Sequence, residues 1–167
     1  MAADPFALAT DLLARVVAYF ATQAVALPAS HYVTAGDSRT IAYDGESVMV
    51  NLDFVGEGQP GMERSTTPVQ IGFTQRYVQY AVTILRICAS MSDDGTPPTA
   101  TALQADAQAN IRDALVLHEA LEDIRAKCNA PGGWVGVNMP MTVGRTSPVG
   151  PAGTMMAVVG SIQVGLL

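Results

Sequence analysis

Several groups of residues have the types and spacing to be tested for chemistry. Gly56, Gly58 and Gly61 in GEGQPG match the pattern GxGxxG. Such glycines serve a dinucleotide only when a helix N-terminus follows at once and turns its amides toward the pyrophosphate. Here Met-Glu-Arg-Ser-Thr-Thr-Pro follows, with no apolar periodicity, so the segment reads as a hairpin loop. His118-Glu119 opens like the zinc motif HExxH, but Glu122 stands where the second histidine belongs. A zinc site of this kind needs two imidazoles one helical turn apart. Glu119, Glu122 and Asp123 form an acidic cluster that reads as a solvated helix face rather than a cation site. Ser38 in GDSR and Ser47 in GESV lack the GxSxG elbow of a serine nucleophile. Cys88 with His31 or His118 would make a thiol–imidazole couple, but Cys88 falls on an apolar face, where thiols are inert. The sequence therefore offers no catalytic residues, no metal site and no cofactor site, and an enzyme is not expected.

The elements that carry these residues follow from periodicity. Asp4-Pro5 supplies an N-cap and a first-turn proline. Phe6, Ala9, Leu13, Val16, Val17 and Phe20 then recur at helical spacing, predicting a helix over Pro5–Thr22. Residues 31–40 are ambiguous between a loop and a short strand near His31 to Thr34. Val48, Val50, Leu52 and Phe54 alternate with Met49, Asn51 and Asp53, predicting a half-buried antiparallel strand over 47–55. Residues 56–68 form a loop. A long β pattern covers 69–89, and in its second half Val78, Tyr80, Val82, Ile84 and Cys88 share a face, with Arg76 and Arg86 near its ends. Residues 76–89 would extend about 45 Å at ~3.3 Å per residue, beyond the usual strand.

Residues 91–101 read as a polar connection, and Thr101 with Gln104 has capping-box spacing. A helix over 101–127 follows. Its apolar stripe is Leu103, Ala107, Ile111, Ala114, Leu115, His118, Leu121, Ile124 and Cys128, making His118 a core or interface histidine. At ~1.5 Å per residue it spans about 40 Å, close to the length of the strand it would cover. Met156, Val158, Ile162, Val164 and Leu166 alternate with Ser161, Gln163 and Gly165 in a closing strand. The late methionines Met139, Met141, Met155 and Met156 suit gap-filling in a core, or an adaptable surface. The whole, residues 1–167, is expected to be one α+β domain. Its architecture would be an antiparallel sheet of about four strands with two main helices packed on one face.

Composition narrows the partners. Hydrophobic residues make up 49% and charged residues 14%, against roughly 25% charged in typical soluble proteins. Low charge fits a large subunit interface, since interface cores shed charge. It also fits GC-rich coding, because Lys127 is the one lysine among nine basic residues. The net charge is −6 and no Lys/Arg run occurs, which argues against a tight nucleic-acid ligand. Two distant cysteines do not make a disulfide scaffold. The start, MAADPF, lacks a basic n-region, and the charge-free stretch after Arg15 is broken by Thr22, Gln23, Pro28, Ser30 and His31. No signal peptide and no membrane span are expected, and the protein should be soluble and made in the cytoplasm.

The order of elements, with PVGPAG (residues 148–153) leading into AVVGSIQVGLL, resembles the tail terminator proteins of long-tailed, siphovirus-type bacteriophages. The resemblance takes in the opening helix, the strand around 76–89 and the helix around 101–127. It implies a small subunit with helices on an antiparallel sheet. Such subunits form a homo-oligomeric, hexameric ring that caps the major tail tube protein and meets the head-tail connector or stopper. The expected location is the tail-neck region of a virion, assembled in the host cytoplasm, with DNA passing through the lumen without specific binding. The Ala- and Arg-rich, Lys-poor composition looks like that of a phage of an actinobacterial host. The loops 56–68 and 91–101 then become candidate subunit-interface or lumen segments, with Glu57, Met62, Arg64, Asp93 and Asp94 as the residues to examine. Other neck or tail-tube subunits, a non-viral binding module, and an enzyme with a hidden site are the competing expectations.

Overall fold

The computed structural model describes residues 4–35, 45–57, 76–92, 94–128, 137–152 and 154–166. In chain order the elements are α1 (Pro5–Thr22), β1 (Ser30–Ala35), β2 (Ser47–Glu57), β3 (Arg76–Ile87), α2 (Ala100–Cys128), β4 (Val137–Val143), β5 (Ser147–Ala152) and β6 (Met155–Leu166). The class is α+β, as expected. The sheet is larger than expected and mixed, with six strands in the order β1-β2-β3-β6-β4 and β5 also paired to β6. β1 runs parallel to β2, and every other pairing is antiparallel.

β4 and β5 are additions to the sequence reading and β1 takes the strand alternative left open for residues 31–40, and each has a local reason. β1 (SHYVTA) is short and lacks a clean alternation. β4 and β5 carry Pro140, Pro148, Pro151 and Gly150, residues that signal loops unless a strand lies at an edge. They do lie at an edge: β4 follows the C-terminal half of β6 and β5 its N-terminal half, so together they form one interrupted outer strand.

β3 is central. Its partners β2 and β6 accompany it from Arg76 to Leu85 and from Arg76 to Ile87 respectively on opposite sides. The length of this strand is therefore absorbed within its own sheet and does not overhang it. Residues 69–75, the first part of the expected β pattern, lie outside the described residues.

Both helices cover one face of the sheet. From α1 come Leu8, Leu12, Val16 and Phe20, and from α2 come Leu117, Leu121 and Ile124. They pack on Val48, Val50, Val78, Tyr80, Val82, Ile84, Val158, Ile162 and Val164. The opposite face is not the solvated one that a half-buried strand implies. Ser47, Met49, Asn51, Ala81, Thr83 and Leu85 are all buried there.

The helix ends follow from capping chemistry. Asp4 Oδ1 accepts from the Phe6 amide at 2.9 Å, and Pro5 occupies the first turn. At α2 the cap is Thr99 rather than Thr101: its Oγ1 accepts from the Ala102 amide at 3.2 Å. Arg125 and Lys127 in the last turn pair with Glu122 and Asp123, contacts that contribute little at an exposed surface.

Tyr80 ties α1 to the centre of the sheet. Its ring is fully buried and its hydroxyl donates to the Pro5 carbonyl at 2.8 Å. Burial, and secondarily the Asp4 carboxylate, push its phenol above the ordinary value. Tyr80→Phe is expected to lose about 1 kcal/mol, the net worth of one such bond. Urea unfolding would measure it as a lower midpoint with an unchanged slope.

Candidate functional site

The chemistry tested in the sequence can now be placed. His118 is exposed on α2 rather than in the core, and its Nδ1 lies 3.4 Å from Thr146 Oγ1. Glu122 and Asp123 are each ion-paired along the helix, to Arg125 and Lys127. Among the described residues, no group of three His, Cys, Asp or Glu side chains is placed to hold a metal ion. Ser47 is buried and faces the Tyr32 hydroxyl at 3.4 Å. Ser38 lies outside the described residues.

Gly56 is part of β2, opposite Tyr77. A side chain there would strike the Phe54 and Tyr77 rings, which pack at a centroid distance of 6.0 Å. Its small size is thus explained by aromatic packing within a hairpin pair. Gly58 and Gly61 lie outside the described residues.

Cys88 is buried just past β3, with its amide donating to the Thr154 carbonyl at 2.8 Å. Burial raises the thiol above its ordinary value of 9.0, and the carboxylate of Asp106 raises it further. A thiol held protonated is a poor nucleophile. The unfolded chain ionises it first, so the folded state binds the extra proton as pH rises past the ordinary thiol range. Stability from this group is complete below that range and declines above it. Cys88 is expected to resist alkylation at pH 8 in native buffer and to react once denaturant is added. Fast labelling of the native chain, located to Cys88 by peptide mass, would contradict this.

The candidate loop residues separate. Glu57 ends β2 with its backbone opposite Arg76, whereas Met62, Arg64 and Asp93 lie outside the described residues. Asp94 is exposed and occupied by its own turn. Its Oδ1 accepts from the Ser92 hydroxyl and, at 3.0 Å, from the Thr96 amide. These bonds hold its carboxyl down at about 2. Asp94 thus stays ionised through the acidic range, and Gly95 beside it takes φ +82° to close the turn.

Three features were not foreseen. The first is a buried ion pair. Arg86 projects from β3 to the helix-covered face, its Nε donates to Asp113 Oδ2 at 2.5 Å and its Nη2 to the Ala26 carbonyl at 2.7 Å. One guanidinium thus joins β3, α2 and the segment after α1. Arg86 on an apolar face was the available signal, but Asp113 falls off the expected helix stripe.

The second is that stripe itself. Ala114, Leu121, Ile124 and Cys128 face inward, with Val116, Leu117 and Ala120. Leu103, Ile111 and Leu115 face solvent, 48%, 56% and 62% exposed. The third is an open apolar groove of about 470 Å³ between the end of α1 and the chain that follows it. Val17, Phe20, Ala21, Val25, Leu27 and His31 are among its lining residues.

α1 is long and apolar enough to cross a membrane by length and composition. Its buried residues, Leu12, Val16 and Phe20 among them, belong to the core described above.

No model of a known protein family matches the chain, and no curated protein matches it.

Proposed function

We propose that this chain is a virion structural protein of the tail-terminator type. In this reading it forms a hexameric ring that caps the tail tube and joins it to the head-tail connector or stopper, with DNA passing through unbound. The observation that carries the reading is the spread of uncovered apolar side chains over many elements. Phe6 on α1, Phe54 on β2, Ile87 on β3, Leu115 on α2 and Val149 on β5 are all exposed. Exposed apolar surface of this kind, on a chain with 14% charged residues, suits burial against several neighbours. A ring subunit has several: a copy on each side, the tube on one end and the connector on the other. The net charge of −6 suits a lumen that lets DNA slide without gripping it.

Another neck or tail-tube subunit would share this surface. The prolines on the outer strand β4–β5 weigh against a tube whose sheets join edge to edge there, since proline removes donors from a strand edge. A small binding module is favoured by one observation, the apolar groove after α1.

The deciding experiment uses purified chain and tail tubes that lack an end cap. Rings in negative stain, and binding at one end of the tubes, are expected. A chain that stays monomeric in the presence of tubes and binds neither end would remove the terminator reading. A small molecule retained through purification would favour the binding module.

A further inference from the structure

α2 is longer than the part of the sheet it covers. Asp113 meets Arg86 near the end of β3, and Leu117 and Leu121 lie over Gly160, whose strand partner is Val82. The helix therefore runs antiparallel to β3, and the turns before Asp113 pass beyond the end of that strand. Their one described tether there is Asp106, whose Oδ2 accepts from the Ala89 amide at 2.6 Å. Those turns amount to an arm of about 20 Å at ~1.5 Å per residue. On it Leu103, Ala107 and Ile111, continued past its root by Leu115, form one ridge at i, i+4 spacing, and all four are exposed. Short helical segments are marginal without a surface to pack on.

The same chain carries the converse feature, an apolar groove beside α1 that is left open. Ridges at i, i+4 spacing are what pack into grooves along a second helix. Charge selects the match. The groove lining from Val17 to Ala29 has no formal charge, and neither do the residues of the ridge. Two copies each carrying −6 repel at long range, and a contact between two uncharged faces adds no local repulsion to this.

We propose that the α2 arm of one copy seats in the α1 groove of the next. The ridge and the groove are different patches, so the contact is head-to-tail, and such contacts close into a ring when the rotation permits. Area fits closure rather than an isolated pair. An arm of this length, about 10 Å wide, covers on the order of 200 Å² per partner, against about 800 Å² in a standard stable interface. One seat is weak alone, and a closed ring uses two per subunit. This inference rests on the proposed self-assembly and names the surfaces that perform it.

The test uses two single variants of the full chain, Leu103→Cys on the arm and Ala21→Cys in the groove, mixed under mild oxidation. A disulfide between the two variants, well above either variant linked to itself, is expected. Adding Leu115→Gln to the arm variant should weaken association at least tenfold by sedimentation while the melting temperature stays put, because Leu115 is exposed in the single chain. Absence of the mixed cross-link, or equal self-linking of Leu103→Cys, would overturn the seat. Rings in micrographs without the cross-link would reject the seat and leave the ring reading standing. The cross-link within a closed dimer would keep the arm–groove contact but reject head-to-tail closure and the ring reading.

Discussion

Asp113→Ala is expected to destabilise the fold by about 3 kcal/mol, lowering the melting temperature by roughly 6–12 °C for a chain of this size. The reason is the burial of the pair. The Asp113 side chain is 1% exposed and that of Arg86 is 17% exposed. Removing the carboxylate leaves a guanidinium under α2 with the Ala26 carbonyl as its described remaining partner. Breaking one side of a buried pair typically costs about 3–5 kcal/mol, and the partial exposure of Arg86 places this case at the lower end. Replacing both members with apolar residues, Arg86→Met with Asp113→Leu, should recover most of the loss, because no charge is then stranded. Differential scanning calorimetry of the three variants checks this. If the double variant is as unstable as Asp113→Ala, the loss comes from packing around the helix rather than from an orphaned charge.

The ion pair also marks what the sequence could and could not reveal. α1 was legible to the residue, because Asp4-Pro5 fixes its start and the apolar spacing its inward face. β2, β3 and β6 were legible because alternation is strong where a face is buried by helices. β1 was legible only as one of two alternatives, and β4 and β5 were not, since edge strands need little hydrophobicity and tolerate the prolines that read as loop. The two-sided burial of Met49, Asn51, Thr83 and Leu85 was also hidden, because polar residues on the second face imitate a solvated one. In α2 the difficulty was different. A continuous 3.6-residue stripe from Leu103 to Cys128 suggests one buried face, but burial depends on where the sheet ends. Past Arg86 the same spacing continues but Leu103, Ala107 and Ile111 are exposed, so the arm and its exposed ridge became visible only from the register of β3, β6 and α2. The groove after α1 depends on the path of residues 24–29, including Ala24 at φ +54°, which no local pattern announces.

Gly160→Val is expected to be comparably damaging, at about 3 kcal/mol, because it acts where α2 presses on the sheet. Gly160 lies in β6 beside Val82 and faces the helices. A β-carbon there would stand 2.9 Å from Leu121 Cδ1, 3.2 Å from Leu117 Cδ2 and 3.1 Å from Thr146 Oγ1. Both leucines are fully buried, so they cannot swing into solvent to make room. Overpacking of a tight core costs about 1–3 kcal/mol, and a branched side chain confronting three neighbours belongs at the upper end. Gly160→Ala should cost less. Leu117→Ala alone should cost about 2–5 kcal/mol by opening a cavity, yet combined with Gly160→Val the loss should be smaller than the sum, since one change fills what the other empties. Strict additivity in urea unfolding would show that Gly160 does not set the helix–sheet spacing. The consequence reaches the proposed assembly. Lifting α2 from the sheet strains the Arg86–Asp113 link at the root of the arm, so Gly160→Val should also weaken association. Leu115→Gln should weaken association without the loss of stability. The two variants together thus separate the helix as a structural element from the helix as a contact surface.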